Sequence, residues 1–485
     1  MAQAMRPVHI APLATFRVLF GALMTYGMLR FWHKDWIAQL YEAPQLFFKF
    51  YGLEWVTVPG GVGLYLLFGV ATVSAVGVML GAFYRMSIVT FFMSFTYIEL
   101  MDVTNYLNHY YLVCLLAFLM CWLPAHRYGS VDAWRKPSIR RAYVPAWCLY
   151  VLQLQLGIVY IYAGVAKLRA DWLLRGMPLA TWLPTKAHWP VIGPLLALPW
   201  VAIAMSWAGA LYDLTITFFL LSRRTRALAY LAVVAFHMLT WAMFNIGLFP
   251  LIMMVSTLVF FSPRWHARVW GGARRSWLAL RPSIPIVGIL PPTERATLAV
   301  PIARYAYASP QEVLAAHDDP YVADMASPRR TTYAMRALLV VFFAVQLVLP
   351  LRAFAYPGNL LWHEQGYRFS WRVMLVEKVG QATFYVTDAA TGRRAEVVNS
   401  EHLTAWQEKN VSIQPDLLLQ YARYLEQVYG QQYDMQEPIV TADVYVALNG
   451  RPAHRLVDPE APLNQLRDTW TAKPWILPLP HQSRR

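Results

Sequence analysis

Stretches of about twenty mostly apolar residues, each long enough to cross a bilayer core, recur along most of this chain. They fall at 12–31, 62–83, 86–101, 108–124, 145–166, 199–221, 227–243, 246–261 and 336–355. The stretch at 86–101 is short, and the pair meeting at Asn245-Ile246-Gly247 also fits a re-entrant turn. Beyond residue 356 the period changes. Arg368 to Val376, Ala382 to Thr387 and Arg393 to Val398 read as strands, the last two joined by the turn Ala389-Ala390-Thr391-Gly392. Pro415 to Val428 reads as a helix, and Ile439 to Leu448 alternates as a further strand. The pattern predicts a polytopic α-helical membrane protein of about nine transmembrane helices with a C-terminal α+β extracytoplasmic domain. Its divisions are a helical region at 1–262, a basic and irregular cytoplasmic linker at 263–335, a last transmembrane helix at 336–355 and an external domain at 356–485.

Composition sharpens this reading. The 485 residues are 58% hydrophobic and 14% charged, against roughly 45–50% and 25% for a soluble domain. The net charge of +15 is a topology signal rather than a nucleic-acid footprint, because the basic residues cluster in loops between apolar stretches. With a cytoplasmic N-terminus, the loops at Arg85, at Arg127 to Arg141, at Arg223 to Arg226 and at 262–335 all fall inside and are basic, while 102–107 has no Lys or Arg. About ten residues precede the first stretch and no small-residue cleavage site follows it, so no cleaved leader is expected. Cys114, Cys121 and Cys148 lie in apolar stretches and form no CxxC pair.

In that topology several ionisable residues share one depth, at the outer boundary. Asn108 and His109 open one helix, Lys167 closes another, Glu99 and Asp102 close a third, and His237 lies in the outer half of a fourth. Intramembrane polar groups usually face a protein cavity. Each also has a plainer role. Lys167 reads as a desolvated neutral amine or as a snorkelling anchor. His237 reads as a site residue or a bonded core histidine, Glu99 and Asp102 as solvated or paired with Arg169, and Arg17 as structurally paired or as a substrate contact. Tyr160, Gly164 and Lys167 share one helix face, and Gly164 leaves room there for a flat ligand or a neighbouring backbone. His109 sits in a first helical turn, where the dipole favours neutral imidazole. There is no HExxH, Walker loop or GxSxG, and no internal repeat of the kind many transporters show.

The ordered motifs Ala14-Thr15-Phe16-Arg17, Leu80-Gly81-Ala82-Phe83-Tyr84-Arg85, Asn108-His109-Tyr110-Tyr111, Ala163-Gly164-Val165-Ala166-Lys167-Leu168, Phe244-Asn245-Ile246-Gly247, Tyr367-Arg368-Phe369-Ser370-Trp371 and Asp443-Val444-Tyr445 run through nearly the whole chain. In them the chain resembles the vitamin K-dependent γ-glutamyl carboxylase family and its bacterial relatives, the HTTM membrane proteins. The resemblance implies Lys167, His109 and Asn108 as catalytic residues, with Tyr160, Gly164 and His237 at the quinol. It also implies Tyr367, Ser370 and Trp371 toward the glutamate. Reduced vitamin K (phylloquinone or menaquinone hydroquinone) would be the cofactor, O2 and CO2 co-substrates, and a Glu-containing peptide or protein the partner, with no metal. The implied reaction is quinol epoxidation by O2 driving carboxylation of peptidyl glutamate, a lyase-type activity. A γ-proton is too weakly acidic for a side-chain base, so cofactor oxidation must supply the force.

The chain departs from the family in three places. The paired lysines are Ala166-Lys167, Tyr424 stands where animal enzymes have a bridging cysteine, and the chain ends soon after its first external domain. These departures favour a bacterial inner membrane over the endoplasmic reticulum. The alternatives are a quinol epoxidase that carboxylates no peptide, and a non-enzymatic polytopic membrane protein.

Overall fold

The computed structural model describes residues 2–280 and 330–480. The apolar stretches fold as α1 (Ala11–His33), α2 (Val62–Leu80), α3 (Tyr84–Leu100), α4 (Asn108–Trp122), α5 (Trp147–Lys167), α6 (Pro199–Leu221), α7 (Arg226–Met243), α8 (Phe249–Thr257) and α10 (Arg330–Val348), with α9 (Pro263–Leu280) before the last. Among the described residues six helical stretches are long and apolar enough to cross a membrane: α1, α2, α6 and α7, residues Trp147–Ala166 of α5, and Tyr333–Ala355, which continues α10. Helices α3, α4 and α8 have 17, 15 and 9 residues. At 1.5 Å per residue they span about 26, 23 and 14 Å, short of a core of roughly 30 Å. The structure therefore supports six crossings by length and composition where nine were expected.

The linker also differs from expectation. Its first part, α9, is helical rather than irregular, and bonds from Trp270 Nε1 to Thr15 Oγ1 (2.9 Å) and between His266 Nε2 and Leu258 O (3.0 Å) hold it against α1 and the end of α8. Residues 281–329 of the expected linker lie outside the described residues.

Small residues set the helix spacing. A Cβ on Gly21 would lie 2.4 Å from Met79 N, so α1 and α2 touch backbone to backbone there. Arg17, wholly buried in α1, finds carbonyls rather than an acid. Its Nη1 donates to Val78 O (3.1 Å) and Met79 O (2.9 Å), and its Nη2 to Gly129 O (2.5 Å). Two of these carbonyls, Val78 O and Met79 O, lie in the last turn of α2, at the negative end of its dipole, a natural seat for a cation. These bonds give it a structural role, pinning α1 to the end of α2 and to Gly129. Short strands β1 (Pro7–His9) and β2 (Tyr143–Pro145) pair antiparallel and tie the starts of α1 and α5 together.

The C-terminal region holds a four-stranded sheet of β3 (Lys378–Asp388), β4 (Arg394–Glu396), β5 (Pro438–Leu448) and β6 (His454–Arg455), in the order β4-β3-β5-β6. β3 and β5 pair along their full 11 residues, from Lys378↔Leu448 to Asp388↔Pro438, and alternate residues are buried. Helices α11 (Ala405–Val411) and α12 (Pro415–Gln432) pack on that sheet, with the Tyr421 ring edge-on to Phe384 at 4.8 Å. A Thr404–Gln407 capping box opens α11. The strand expected over 368–376 does not form. Phe369, Trp371 and Met374 take left-handed φ of 58°, 57° and 59°, which breaks any extended run.

This region docks directly onto the helical one. Gln407 Nε2 donates to Leu46 O (2.6 Å), Trp406 Nε1 to Thr104 O (3.1 Å), and Gln420 exchanges bonds with both backbone groups of Lys49 (2.7 and 3.0 Å). Arg451 grips Asp171 through both Nη atoms (2.9 and 2.5 Å), just beyond α5. Asp102 joins the same seam. It accepts from Thr104 N (2.8 Å) and Oγ1 (2.7 Å) and approaches Gln407 Nε2 (3.5 Å), so it is neither solvated nor paired with Arg169 as expected.

Candidate active site at the end of a membrane helix

Lys167 ends α5 beside the docked C-terminal region and is 5% exposed. Its Nζ lies 2.7 Å from Asp213 Oδ2 of α6 and 3.4 Å from Ala163 O, with the Trp172 ring 5.3 Å away. Trp172 is itself fixed by a bond from Nε1 to Ser206 O (2.6 Å). The amine is therefore not a snorkelling anchor; it faces inward and is held by a carboxylate. The sequence reading missed Asp213. Its signal was present: it is the one acidic residue in the apolar stretch 199–221, and a lone acid there needs a partner.

Gly164 explains how the two helices come close enough. A Cβ there would sit 2.7 Å from Leu214 Cγ and 2.9 Å from Leu214 N. Of the two uses expected for that gap, the neighbouring backbone at Leu214 takes the space directly over Gly164. Tyr160, one turn earlier, is buried with its hydroxyl 3.5 Å from that of Tyr212, the neighbour of Asp213.

From Tyr212 an aromatic array runs toward α4. Tyr212 stacks on Phe236 (4.1 Å between centroids) and lies 6.2 Å from His237, which is 5.8 Å from Phe249, itself 6.0 Å from His109. His237 Nδ1 is 2.9 Å from Val233 O. A carbonyl only accepts, so Nδ1 must carry the proton and Nε2 of the neutral ring is an acceptor. His109 makes no hydrogen bond among the described residues, which leaves both of its ring nitrogens available. Lys167 and His109 do not bond to each other; the array joins them.

Asn108 faces the other way, toward the segment over the membrane. It accepts from Tyr106 Oη (3.1 Å), and its Nδ2 donates to Arg372 O (3.2 Å), as does Tyr367 Oη (3.2 Å). Tyr106 Oη in turn accepts from Phe369 N (2.9 Å). Ser370 Oγ donates to Tyr367 O, turning its hydroxyl into its own loop. Trp371 stacks on Tyr111 at 5.0 Å, and its buried Nε1 has no acceptor among the described residues. A cavity of ≈ 400 Å³ opens beneath this segment, lined by Glu99, Tyr106, Tyr111, Gln346 and Phe369 among others. Glu99 makes no ion pair there, with Arg169 or any other described residue.

Outside the helices the charges are strongly shaped by burial. Burial pushes Asp102 up to about 6 against the pull of its Thr104 bonds, and pushes His363 down to about 4, helped by Lys378 and Arg169. Burial, then repulsion from Arg169, pushes Arg372 down to about 10. Among the described residues no group of three or more His, Cys, Asp and Glu side chains could hold a metal, and the three cysteines are free.

A buried Lys–carboxylate pair, an acceptor histidine, two tyrosine hydroxyls and aromatic walls suit a flat apolar ligand bearing an acidic hydroxyl. Two family models match this chain. The HTTM domain matches residues 5–265, and the vitamin K-dependent gamma-carboxylase lumenal domain matches residues 331–482. No solved structure matches it. The lumenal match supports an extracytoplasmic C-terminal domain. With the helical region and the docked sheet each covered in order, the chain belongs to the vitamin K-dependent gamma-carboxylase family.

Proposed function

We propose that this protein carboxylates peptidyl glutamate to γ-carboxyglutamate, coupled to epoxidation of vitamin K hydroquinone by O2, with CO2 as co-substrate. The observation that carries the reading is the buried Lys167–Asp213 pair inside the HTTM-matching region. When bound, the hydroquinone supplies the oxidation energy that removal of a γ-proton demands. The chain's own residues do the rest. After losing its own proton, Lys167 Nζ would take a hydroxyl proton, and Asp213 at 2.7 Å stays beside the ammonium restored. His237 Nε2 would accept from a second hydroxyl, and His109, without a hydrogen bond among the described residues, would move or donate a proton. Tyr160, Tyr212, Phe236 and Phe249 exclude water around the pair. Asn108 holds the Tyr367–Arg372 segment over the site, and Tyr367, Ser370 and Trp371 on that segment would face the peptide.

The same reading places the N-terminus in the cytoplasm, sets the divisions at 1–262, 263–335, 336–355 and 356–485, and locates the protein in a bacterial inner membrane. The experiment supplies reduced vitamin K, oxygen, labelled bicarbonate and a Glu-containing peptide to the purified full chain. Label in the peptide supports the carboxylase; epoxide without label supports an epoxidase that carboxylates no peptide. Neither product means a non-enzymatic membrane protein. Lys167→Ala abolishes both products; retention of either removes Lys167 from the mechanism.

A further inference from the structure

At the junction between the helices and the C-terminal domain, the cations sort into two sets. Arg451 holds Asp171, Lys378 holds Glu364 (2.6 Å), and Arg368 holds Asp416 (2.5 Å). Arg352 donates to Leu349 O (3.2 Å) and Arg368 O (2.5 Å). Those four are satisfied. Arg169 and Arg372 are not: neither guanidinium donates to any acceptor among the described residues. Arg372 is only 4% exposed, and its Nε is fully buried without a partner. A guanidinium keeps its charge at neutral pH, so a buried one without a counter-ion calls for an anion.

A third donor points the same way. His363 Nδ1 accepts from Gln365 N–H (3.0 Å), which places the ring proton on Nε2, and that nitrogen too is buried with no acceptor. Ala166 and Trp172, on either side of Arg169, share one buried cluster with Leu361 and Trp362, next to His363, and with Leu375, just past Arg372; the repulsion of Arg169 on both Arg372 and His363 agrees with the three groups facing one region. The region offers donors and positive charge, while its nearest carboxylates are already engaged by other cations.

Its position relates it to the chemistry. Arg169 N–H donates to Lys167 O (2.8 Å), putting this guanidinium two residues past the amine. The Arg372 carbonyl accepts from Asn108 and Tyr367. Building on the carboxylase reading above, we infer that Arg169 and Arg372, with His363 Nε2–H, form the seat for the side-chain carboxylate of the peptidyl glutamate. Planar guanidiniums match a carboxylate edge in a fork geometry that a lysine would not provide. Two of them also suit the outcome of the reaction, in which one carbon loses a proton and gains CO2, so that one carboxylate becomes a geminal pair. The seat then carries two positive charges against two negative ones.

The test is binding of a labelled Glu peptide, and of the same peptide with Gln, to the full chain in lipid nanodiscs, without quinol or bicarbonate. The wild type binds the Glu peptide at least tenfold more tightly. Arg372→Gln and Arg169→Gln each remove most of that preference without weakening the Gln peptide, and Arg372→Lys restores part of it. Equal binding of the two peptides by the wild type overturns the proposal with no variant needed. So does an unchanged preference in both Gln variants. Because no turnover is involved, the outcomes separate from those of the function assay. An Arg-dependent Glu preference without any carboxylation sinks the catalytic reading alone, and carboxylation indifferent to both arginines sinks this one alone.

Discussion

Replacing Asp213 with Asn keeps the size of the side chain and one acceptor oxygen but removes the charge facing Lys167. The pair is separated by 2.7 Å and its side chains are 7% and 8% exposed. At an effective dielectric near 20 their attraction is about 6 kcal/mol, most of it offset by the desolvation of both ions. What the substitution exposes is the desolvation that remains: a buried ammonium without its partner destabilises by about 3–5 kcal/mol. Lys167→Met leaves the carboxylate stranded by a similar amount. The double variant strands neither charge, so its loss is far smaller than the sum, with a coupling of about 2 kcal/mol or more. Thermal unfolding of the four proteins in one detergent measures this cycle. Epoxide formation supplies the second readout, and there all three variants are inactive, since Asp213→Asn leaves the ammonium no compensating charge. Additive melting shifts, or Asp213→Asn with full epoxidation, would show that the pair is neither a buried ion pair nor part of the chemistry.

Two further perturbations test other parts of the structure. Gly164→Val drives a branched side chain into Leu214, whose N would lie 2.9 Å from the added Cβ, and separates α5 from α6. Such overpacking costs about 1–3 kcal/mol or more, and epoxidation falls with it because Lys167 and Asp213 sit on the two helices displaced; activity equal to wild type would show that the spacing is not needed. The pH dependence carries two opposed signs. His363, depressed from 6.5 to about 4, contributes stability that is present above 6.5 and lost as pH falls toward 4, about 1–2 kcal/mol after discounting for partial solvation. Asp102, raised from 3.8 to about 6, works the other way, with about 3 kcal/mol lost as pH rises between those values. Melting temperatures from pH 4 to 7, plotted as variant minus wild type, therefore rise with pH for Asp102→Asn and fall for His363→Gln. Parallel curves for either variant would refute the corresponding assignment.

Much of this architecture was legible in the chain because it depends on local periodicity. The apolar stretches, the β3 and β5 strands and the α12 helix follow from spacings of 3.6 and 2 that need no partner. Errors arose where a partner decides the outcome. Segment 368–376 alternates like a strand, yet it is held by Tyr106, Asn108 and Arg352 from the helical region, and its left-handed residues follow those contacts. Asp102 reads as a surface acid until α11 brings Gln407 over it. Crossing length misled for α4 and α8, where apolar residues continue past the point where the helix ends, and for α3, whose apolar stretch is itself short of a bilayer core.

The site divides along the same line. Lys167, Tyr160 and Gly164 announce themselves by their shared helix face, but what stands opposite that face belongs to α6, and no spacing in α5 reveals it. Asp213 changes the chemical reading of Lys167. For an amine alone in an apolar pocket, each accepted proton creates an isolated and poorly solvated charge. With Asp213 at 2.7 Å the proton's destination is already compensated, so the charge formed on accepting it is never isolated in the apolar site. The aromatic array then gives the pair its direction. Tyr160, Tyr212, His237 and Phe249 lead from it to His109, whereas Asn108, on the next residue, turns to the segment that carries Arg372. Two neighbouring residues at the start of α4 thus point in two directions, and on the proposed carboxylase reading His109 would serve the quinol and Asn108 the segment over the peptide.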